Sequence, residues 1–296
     1  MTTDSGLPEL GDPEELEGVA PALRDCWQRF GWANRDGQTL NERISTFAAV
    51  RPNGMHAHTL YVYFQNDRWH VKFLRLIEER DERRAFADMA ELFGSFLDNM
   101  RASLNYLAFQ LANLAIEKDP SLAYPTLPWD DQLHPTAIEF PIFDKPAKYW
   151  SKNKVGELPE EYRVAVKAVQ PCFGGNRDLW DLQELSAEYR HRVIHPVAVV
   201  PLSDRFGINL NGRPVEGAEI TIEHEGPLVH DTEVMSFTVP PGTWTEGQGR
   251  MQPSVPIQIG LDHPLCVNRN LITIANGITY AVGPMLSDFE VRFFGS

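Results

Sequence analysis

The stretch that decides the fold is residues 84–118, RAFADMAELFGSFLDNMRASLNYLAFQLANLAIEK. Its apolar side chains recur every three or four residues, at Leu97, Met100, Leu104, Leu107, Leu111 and Leu114. Three aromatic side chains upstream widen this stripe, namely Phe86, Phe93 and Phe96. Such spacing is typical of a helix with one buried face. It predicts a long helix at the centre of the fold.

Shorter elements are expected before this helix. The pair Asp12-Pro13 is typical of a helix start, and the helix that follows is predicted to run to about Arg29. Residues 59–65 and 69–73 are rich in β-branched and aromatic side chains. The two-residue turn Asn66-Asp67 lies between them. This arrangement predicts a β-hairpin.

The second half of the chain mixes helices with strands. Six prolines between residues 119 and 156 predict loop rather than regular structure. Helices are expected at about 158–169 and 177–195, and a closing helix at about 268–290. Strands are predicted at 197–202, 206–210, 218–223, 233–239 and 255–261. The fold class is therefore α+β: a helical core around a long central helix, with antiparallel β material near the N-terminus and in the C-terminal third.

The predicted organisation is a single α+β domain at 13–296, preceded by a mobile acidic tail at 1–12. Within the domain we expect a motif-bearing helical core at about 84–195 and a β-rich segment at about 197–262. The closing helix at about 268–290 completes it.

The charge of the chain limits its partners. Forty-one acids against 27 bases give a net charge of −14, which disfavours a broad nucleic-acid surface or a basic membrane patch. No apolar run approaches the ~20 residues of a membrane span, and the acidic start does not resemble a signal peptide. The three cysteines lie far apart, which suits a reducing compartment. We therefore expect an acidic cytoplasmic protein without a cofactor; homo-oligomerisation and the identity of a partner are left open.

Charged side chains fall on one side of the predicted helix at 177–195. Asp181, Glu184, Glu188, His191 and His195 recur at intervals of 3, 4, 3 and 4 residues. Glu188, His191 and His195 have the spacing of metal ligands, which allows a metal-dependent hydrolase. The same pattern also describes a solvated helix face, and Arg190 and Arg192 would repel a cation. A metal is therefore not favoured.

Arg190 and His195 are separated by four residues at the end of this helix. This has the form of the Arg-x4–6-His motif of HEPN ribonucleases, which cleave RNA without a metal. The imidazole would move the 2′-hydroxyl proton, and the guanidinium would stabilise the charge that develops on phosphorus. The alternative function is therefore a HEPN-like metal-independent endoribonuclease with Arg190 and His195 as catalytic residues.

The central helix carries a polar line beside its apolar stripe. Asp98, Arg101 and Asn105 are spaced at i, i+3 and i+7. An arginine on the shoulder of a buried stripe usually forms a structural ion pair, and the alternative is a clamp for a substrate anion.

Four short motifs resemble, in order, the pattern LRSALDHLA, FPIF, QP and LWxLxxL with DKHR. They are Gly94–Ala108, Phe140–Phe143, Gln170-Pro171 and Leu179–Arg192. This pattern belongs to a widespread family of uncharacterised bacterial proteins. The resemblance implies an α+β protein with its two motif helices packed together, and it implies no established activity.

The departures from the family pattern favour structure over catalysis. Asn105-Tyr106 stands where the family has Asp-His, and Tyr189-Arg190 stands where it has Asp-Lys. Two carboxylates and one imidazole are thus replaced. The residues Asn99, Arg101, His191 and Arg192 remain. We expect a non-catalytic or degenerate protein whose polar network joins the two helices through Asp98, Asn99, Arg101, Asn105, His191 and Arg192. The sequence leaves open whether the protein is an enzyme.

Overall fold

The structure is a computed structural model. It describes residues 16, 18–49, 57–122, 138–152, 158–191, 194–199, 207–211, 213–224, 226–243, 251–254, 257–266 and 269–295. The chain divides into two compact units. Unit 1 comprises 1–39, 92–193 and 274–296, and unit 2 comprises 40–91 and 194–273. The predicted tail at 1–12 lies outside the described residues, and the single domain at 13–296 stays a prediction.

Both helices and antiparallel sheets are present, which confirms the α+β class. The described ranges contain the helices α1 (Arg24–Ala48), α2 (Glu79–Lys118), α3 (Pro146–Lys152), α4 (Glu160–Ala168), α5 (Asp178–His191) and α6 (Leu271–Phe289). Their strands are β1 (His58–Gln65), β2 (Arg68–Arg75), β3 (Pro196–Val199), β4 (Gly207–Leu210), β5 (Arg213–Pro214), β6 (Glu219–Ile222), β7 (Glu233–Thr238), β8 (Met251–Ser254) and β9 (Gln258–Leu261). The sheets have the strand orders β1-β2-β7-β6, β3-β9 and β5-β4-β8.

The long central helix is confirmed as α2, which has 40 residues. Its predicted stripe is fully buried at Leu97, Met100, Leu104, Leu107 and Leu111, whereas Leu114 and the upstream Phe86 are partly exposed. A helix of this length is stabilised mainly by burying such a face rather than by intrinsic propensity. The helix starts five residues before the predicted position, at Glu79.

The predicted hairpin is also confirmed. Strands β1 and β2 pair antiparallel with Val62 opposite Val71. Asn66 and Asp67 form the turn with φ angles of 50° and 58°. Two consecutive residues with positive φ match the twist of the flanking strands, and Asn and Asp tolerate this conformation better than most residues.

Two predicted helix ends and one predicted loop are wrong. Helix α1 begins at Arg24 and continues to Ala48 instead of ending near Arg29. The short helix α3 lies inside the segment that was expected to be loop. Helix α5 ends at His191 rather than at residue 195. Because Pro196 begins β3 and disfavours helical conformation for the residue before it, the chain is already extended at His195.

A buried glutamine holds residues 138–143 in place. The Gln170 side chain is fully buried, and its amide nitrogen donates to the carbonyl oxygens of Pro141 (2.7 Å) and Val166 (3.1 Å). Its amide oxygen accepts from the backbone N–H of Phe143 at 3.2 Å. These bonds satisfy backbone groups that no strand partner reaches in the described residues. They fix residues 138–143 against the end of α4.

The end of α6 is bonded to the start of α1. The Glu290 carboxylate is buried and accepts from the backbone N–H of Ala20 at 2.7 Å. Its second oxygen accepts from the indole N–H of Trp27 at 2.8 Å. Bonds of this kind to a charged acceptor are stronger than neutral ones. One side chain therefore connects two ends of unit 1.

Unit 2 has its own apolar core under the four-stranded sheet. Trp69, Val71 and Phe73 of β2 pack with Met235 and Phe237 of β7. At the end of this sheet, the His58 ring nitrogen Nε2 lies 2.6 Å from Glu82, whose other oxygen accepts from Arg75 at 2.9 Å.

The Glu290 contact makes a testable prediction for stability. Glu290→Gln should lower the free energy of unfolding by about 1.5–3 kcal/mol, because a neutral amide cannot accept both buried N–H groups. Urea unfolding followed by tryptophan fluorescence measures this change. Asp288→Asn is the matched control, since Asp288 is exposed on the same helix. Equal midpoints for the two variants would contradict the assignment.

Candidate functional site

The candidate site is a stripe along one face of α2. Gly94, Asp98, Arg101 and Asn105 follow one another at helical intervals of 4, 3 and 4 residues. They therefore point to the same side of the helix. Each of them contacts, or lies near, a residue of α5 or of the segment 138–143.

The stripe begins at a close contact between two helices. A Cβ atom placed on Gly94 would lie 2.0 Å from two ring carbons of Tyr189. Real Cβ atoms do not approach so closely, so the ring of Tyr189 occupies the space of the missing side chain. Glycine weakens a helix interior, and a close approach of this kind explains its presence. Helices α2 and α5 thus touch at this point.

One turn further along α2, Asp98 lies near Arg190 of α5. Both residues are exposed, and the Arg190 Nε donates to the carbonyl oxygen of Ser186 at 3.2 Å. Partial desolvation raises the pKa of the Asp98 carboxyl, and the positive charge of Arg190 acts in the opposite direction. The pair is therefore a surface interaction of modest strength.

Arg101 is the buried member of the stripe. Its side chain is only 8% exposed, and burial lowers the pKa of its guanidinium to about 10. The negative charge of Glu139 raises this pKa, and the like charge of Arg190 lowers it further. The Arg101 Nη1 has no hydrogen-bond partner among the described residues. Such a buried and incompletely bonded cation costs stability.

Asn105 closes the stripe. Its side-chain oxygen accepts from the backbone N–H of Phe140 at 3.1 Å. Together with Gln170 it holds residues 138–143, so α2 and the end of α4 both support this segment. Asn105 therefore has a structural hydrogen bond rather than a free amide directed at solvent.

Asn99 belongs to a second cluster on another side of α2. Its side-chain oxygen accepts from Arg29 at 3.1 Å, and its nitrogen donates to Asp36 at 3.2 Å. The Ser95 hydroxyl donates to the same Asp36 oxygen at 2.7 Å. The structure thus directs Asn99 toward α1, whereas Asp98, Arg101 and Asn105 face α5 and the segment 138–143.

The acidic residues and histidines predicted to share one face of α5 do not all lie on this helix. Because α5 ends at His191, the prediction that His195 shares this helix face is wrong. His195 is exposed in the extended segment before β3, where its carbonyl oxygen accepts from the N–H of Asp262 at 3.0 Å. Glu188 is partly buried. The His191 side chain and the whole of Arg192 lie outside the described part of the chain.

Two further properties concern the described ranges only. No group of three or more His, Cys, Asp or Glu side chains there has the arrangement that a metal ion needs. No helix there combines the length and the apolar composition that crossing a bilayer requires.

The partners that surround the stripe were not predicted from the sequence. Glu139 follows a segment rich in prolines, and its relation to Arg101 depends on the tertiary fold. Asp36 and Arg29 were not expected to share one helix. Gly94 was the available signal, because a glycine in the middle of a strongly apolar helix marks a close contact.

Comparisons with models of protein families, with curated proteins and with solved structures find no match for this chain.

The helix contact predicts the effect of adding one methyl group. Gly94→Ala should lower the free energy of unfolding by about 1–3 kcal/mol, because the methyl group must displace the Tyr189 ring. Thermal or urea unfolding measures the change. Gly37→Ala is the matched control, since its Cβ would meet Phe96 at an ordinary 3.6 Å. Alanine also favours a helix by about 1 kcal/mol, so the control should be neutral or stabilising.

The double variant Gly94→Ala/Tyr189→Ala checks the cause. Removing the ring makes room for the methyl group, so the double variant should lose less stability than the sum of the single variants. A Gly94→Ala protein as stable as the wild type would contradict the contact.

The burial of Arg101 predicts that a substitution can increase the stability of the protein. Arg101→Met should leave the free energy of unfolding unchanged or raise it by about 1–4 kcal/mol, because the variant removes a desolvated charge. Glu139 is only partly buried and can be hydrated when its partner is lost. Arg101→Lys keeps the charge in the same buried position, and an ammonium is more strongly hydrated than a guanidinium, so this variant should be less stable than the wild type. Urea unfolding at pH 7 distinguishes the three proteins, and a large loss in Arg101→Met would contradict this account.

The pH dependence of this gain has a defined sign. The guanidinium pKa is lowered to about 10 in the folded chain, below its ordinary value, so the folded state binds fewer protons between these two values. Stability from this group therefore rises with pH through that window. The advantage of Arg101→Met over the wild type should be largest below pH 10 and shrink above it.

Proposed function

We propose that this protein is non-catalytic, and that unit 1 is a rigid scaffold in which polar side chains of α2 join α5 and residues 138–143. The observation that carries this proposal is the burial of Arg101. An arginine that clamps a substrate must present its nitrogen atoms to a ligand. The Nη1 of Arg101 is instead sealed from solvent, and the nearest charges come from the protein itself.

The neighbours of Arg101 support the same function. Asn105 replaces the acid of the family pattern, and its amide is occupied by the backbone of Phe140. Tyr189 replaces a second acid, and its ring fills the space above Gly94. Neither the asparagine amide nor the packed tyrosine ring supplies the carboxylate that the family pattern has at that position. Both substitutions contribute packing or hydrogen bonds to the scaffold.

A second candidate function is a HEPN-like metal-independent endoribonuclease. The observation that favours it is the exposure of both Arg190 and His195. An exposed imidazole can accept the 2′-hydroxyl proton of RNA, and an exposed guanidinium can approach a phosphate. This candidate does not depend on the buried part of the stripe.

An RNA cleavage assay in chelator tests the proposal. We expect the wild-type protein to leave a labelled RNA intact, as Arg190→Ala, His195→Ala and the control Arg35→Ala should also do. Arg35 is an exposed arginine of α1. Cleavage by the wild type and by Arg35→Ala, with loss in the other two variants, would overturn the proposal in favour of the ribonuclease. Cleavage equal in all four proteins would exclude Arg190 and His195 as its source.

A further inference from the structure

A surface formed by α3, α4 and the turn before α5 combines an exposed aromatic ring with bases. Trp150 of α3 is 65% exposed. The Lys167 Nζ lies 5.0 Å from the centre of its ring and 4.9 Å from the centre of the Phe173 ring. We call Trp150, Phe173 and Lys167 the basic aromatic patch.

Buried side chains hold the rings of this patch in place. Tyr149 is buried beneath the surface. The centre of its ring lies 5.2 Å from that of Trp150 and 5.3 Å from that of Phe173, and both pairs pack edge to face. Trp150 and Phe173 also contact each other at 6.0 Å. Such aromatic contacts favour one geometry. The indole is therefore preorganised although most of its surface is open to solvent.

The charge of this region differs from that of the chain. Between Asp144 and Arg177 the described residues include six bases and three acids, whereas the chain has 27 bases and 41 acids. Lys148 of α3 has partners of its own, with its Nζ 5.5 Å from the centre of the Trp180 ring and 3.0 Å from Asp144. A local excess of positive charge on an acidic protein selects an anionic partner.

We propose that the basic aromatic patch binds single-stranded nucleic acid, with one base stacked on Trp150 and the adjoining phosphate near Lys167. Unpaired bases stack on exposed aromatic rings, and the cations beside the rings attract the backbone. The two requirements occur together here within about one nucleotide length. This function goes beyond the scaffold of unit 1 and does not require Arg101, Arg190 or His195.

An acidic peptide is the competing partner. Its carboxylates would pair with Lys167, but it offers no planar group for the exposed indole. The small size of the patch also agrees with the net charge of −14, since only a few phosphates can be neutralised. Binding should accordingly weaken steeply as salt is added.

Anisotropy of a labelled ten-nucleotide oligothymidine tests the proposal with the full chain in chelator. DNA lacks the 2′-hydroxyl, so any ribonuclease activity would not affect this readout. We expect binding at low salt, and an affinity about 5- to 100-fold lower in Trp150→Ala. Trp150→Phe should retain most of the affinity. Tyr280→Ala is the matched control. Tyr280 is another exposed aromatic residue of unit 1, at 54% exposure, and it lies on a different helix.

The salt dependence of binding tests the contribution of Lys167 separately from that of Trp150. Lys167→Gln should reduce the slope of log affinity against log salt by about 0.7, the value for one phosphate of a single strand. Arg43→Gln removes an exposed base outside the patch and should leave the slope unchanged.

Three results would overturn the proposal. They are absence of binding at low salt, equal affinity of Trp150→Ala and wild type, and equal affinity for an abasic strand of the same length. A polyglutamate peptide that binds as tightly as the oligonucleotide, without loss in Trp150→Ala, would assign the patch to acidic proteins instead.

Discussion

The contact between Gly94 and Tyr189 brings the polar side of α2 close to α5. Because glycine has no side chain, the tyrosine ring lies directly on the backbone of α2, and the next turns of α2 remain beside α5. Asp98 and Arg101 then come under the influence of Arg190. A larger residue at position 94 would have to displace this ring. The electrostatics of the stripe therefore follow from a packing constraint.

Burial along α2 forces its polar groups to find partners inside the protein. Asn105 and Gln170 meet this requirement by bonding the backbone of residues 138–143, which lack strand partners in the described part of the chain. Asn99 meets it through α1. Arg101 meets it only in part, because Nη1 has no partner among the described residues. The stripe thus contains both the interactions that stabilise unit 1 and one that weakens it.

The sequence predicted the parts of the fold that depend on local pattern. The α2 stripe repeats over several turns, and Asn66-Asp67 defines a turn by itself, so both were found. Boundaries that depend on tertiary contacts were missed. Helix α1 continues through Gly31 and Gly37, which are weak helix formers, because buried Phe30, Ala33 and Leu40 hold it. Within the site, the residue types on α2 were identified, but Glu139 and Asp36 were not, because no spacing in the sequence indicates which residues from distant segments meet.

The Glu290 carboxylate has a consequence for synthesis of the chain. It joins residues about 270 positions apart, so the N–H groups of Ala20 and Trp27 have no acceptor of this kind until α6 has left the ribosome. Contacts of such separation form late and slow the folding of the region that needs them. The N–H groups at the start of α1 are therefore synthesised well before the carboxylate that accepts from them, and this contact can form only after residue 290 has been added.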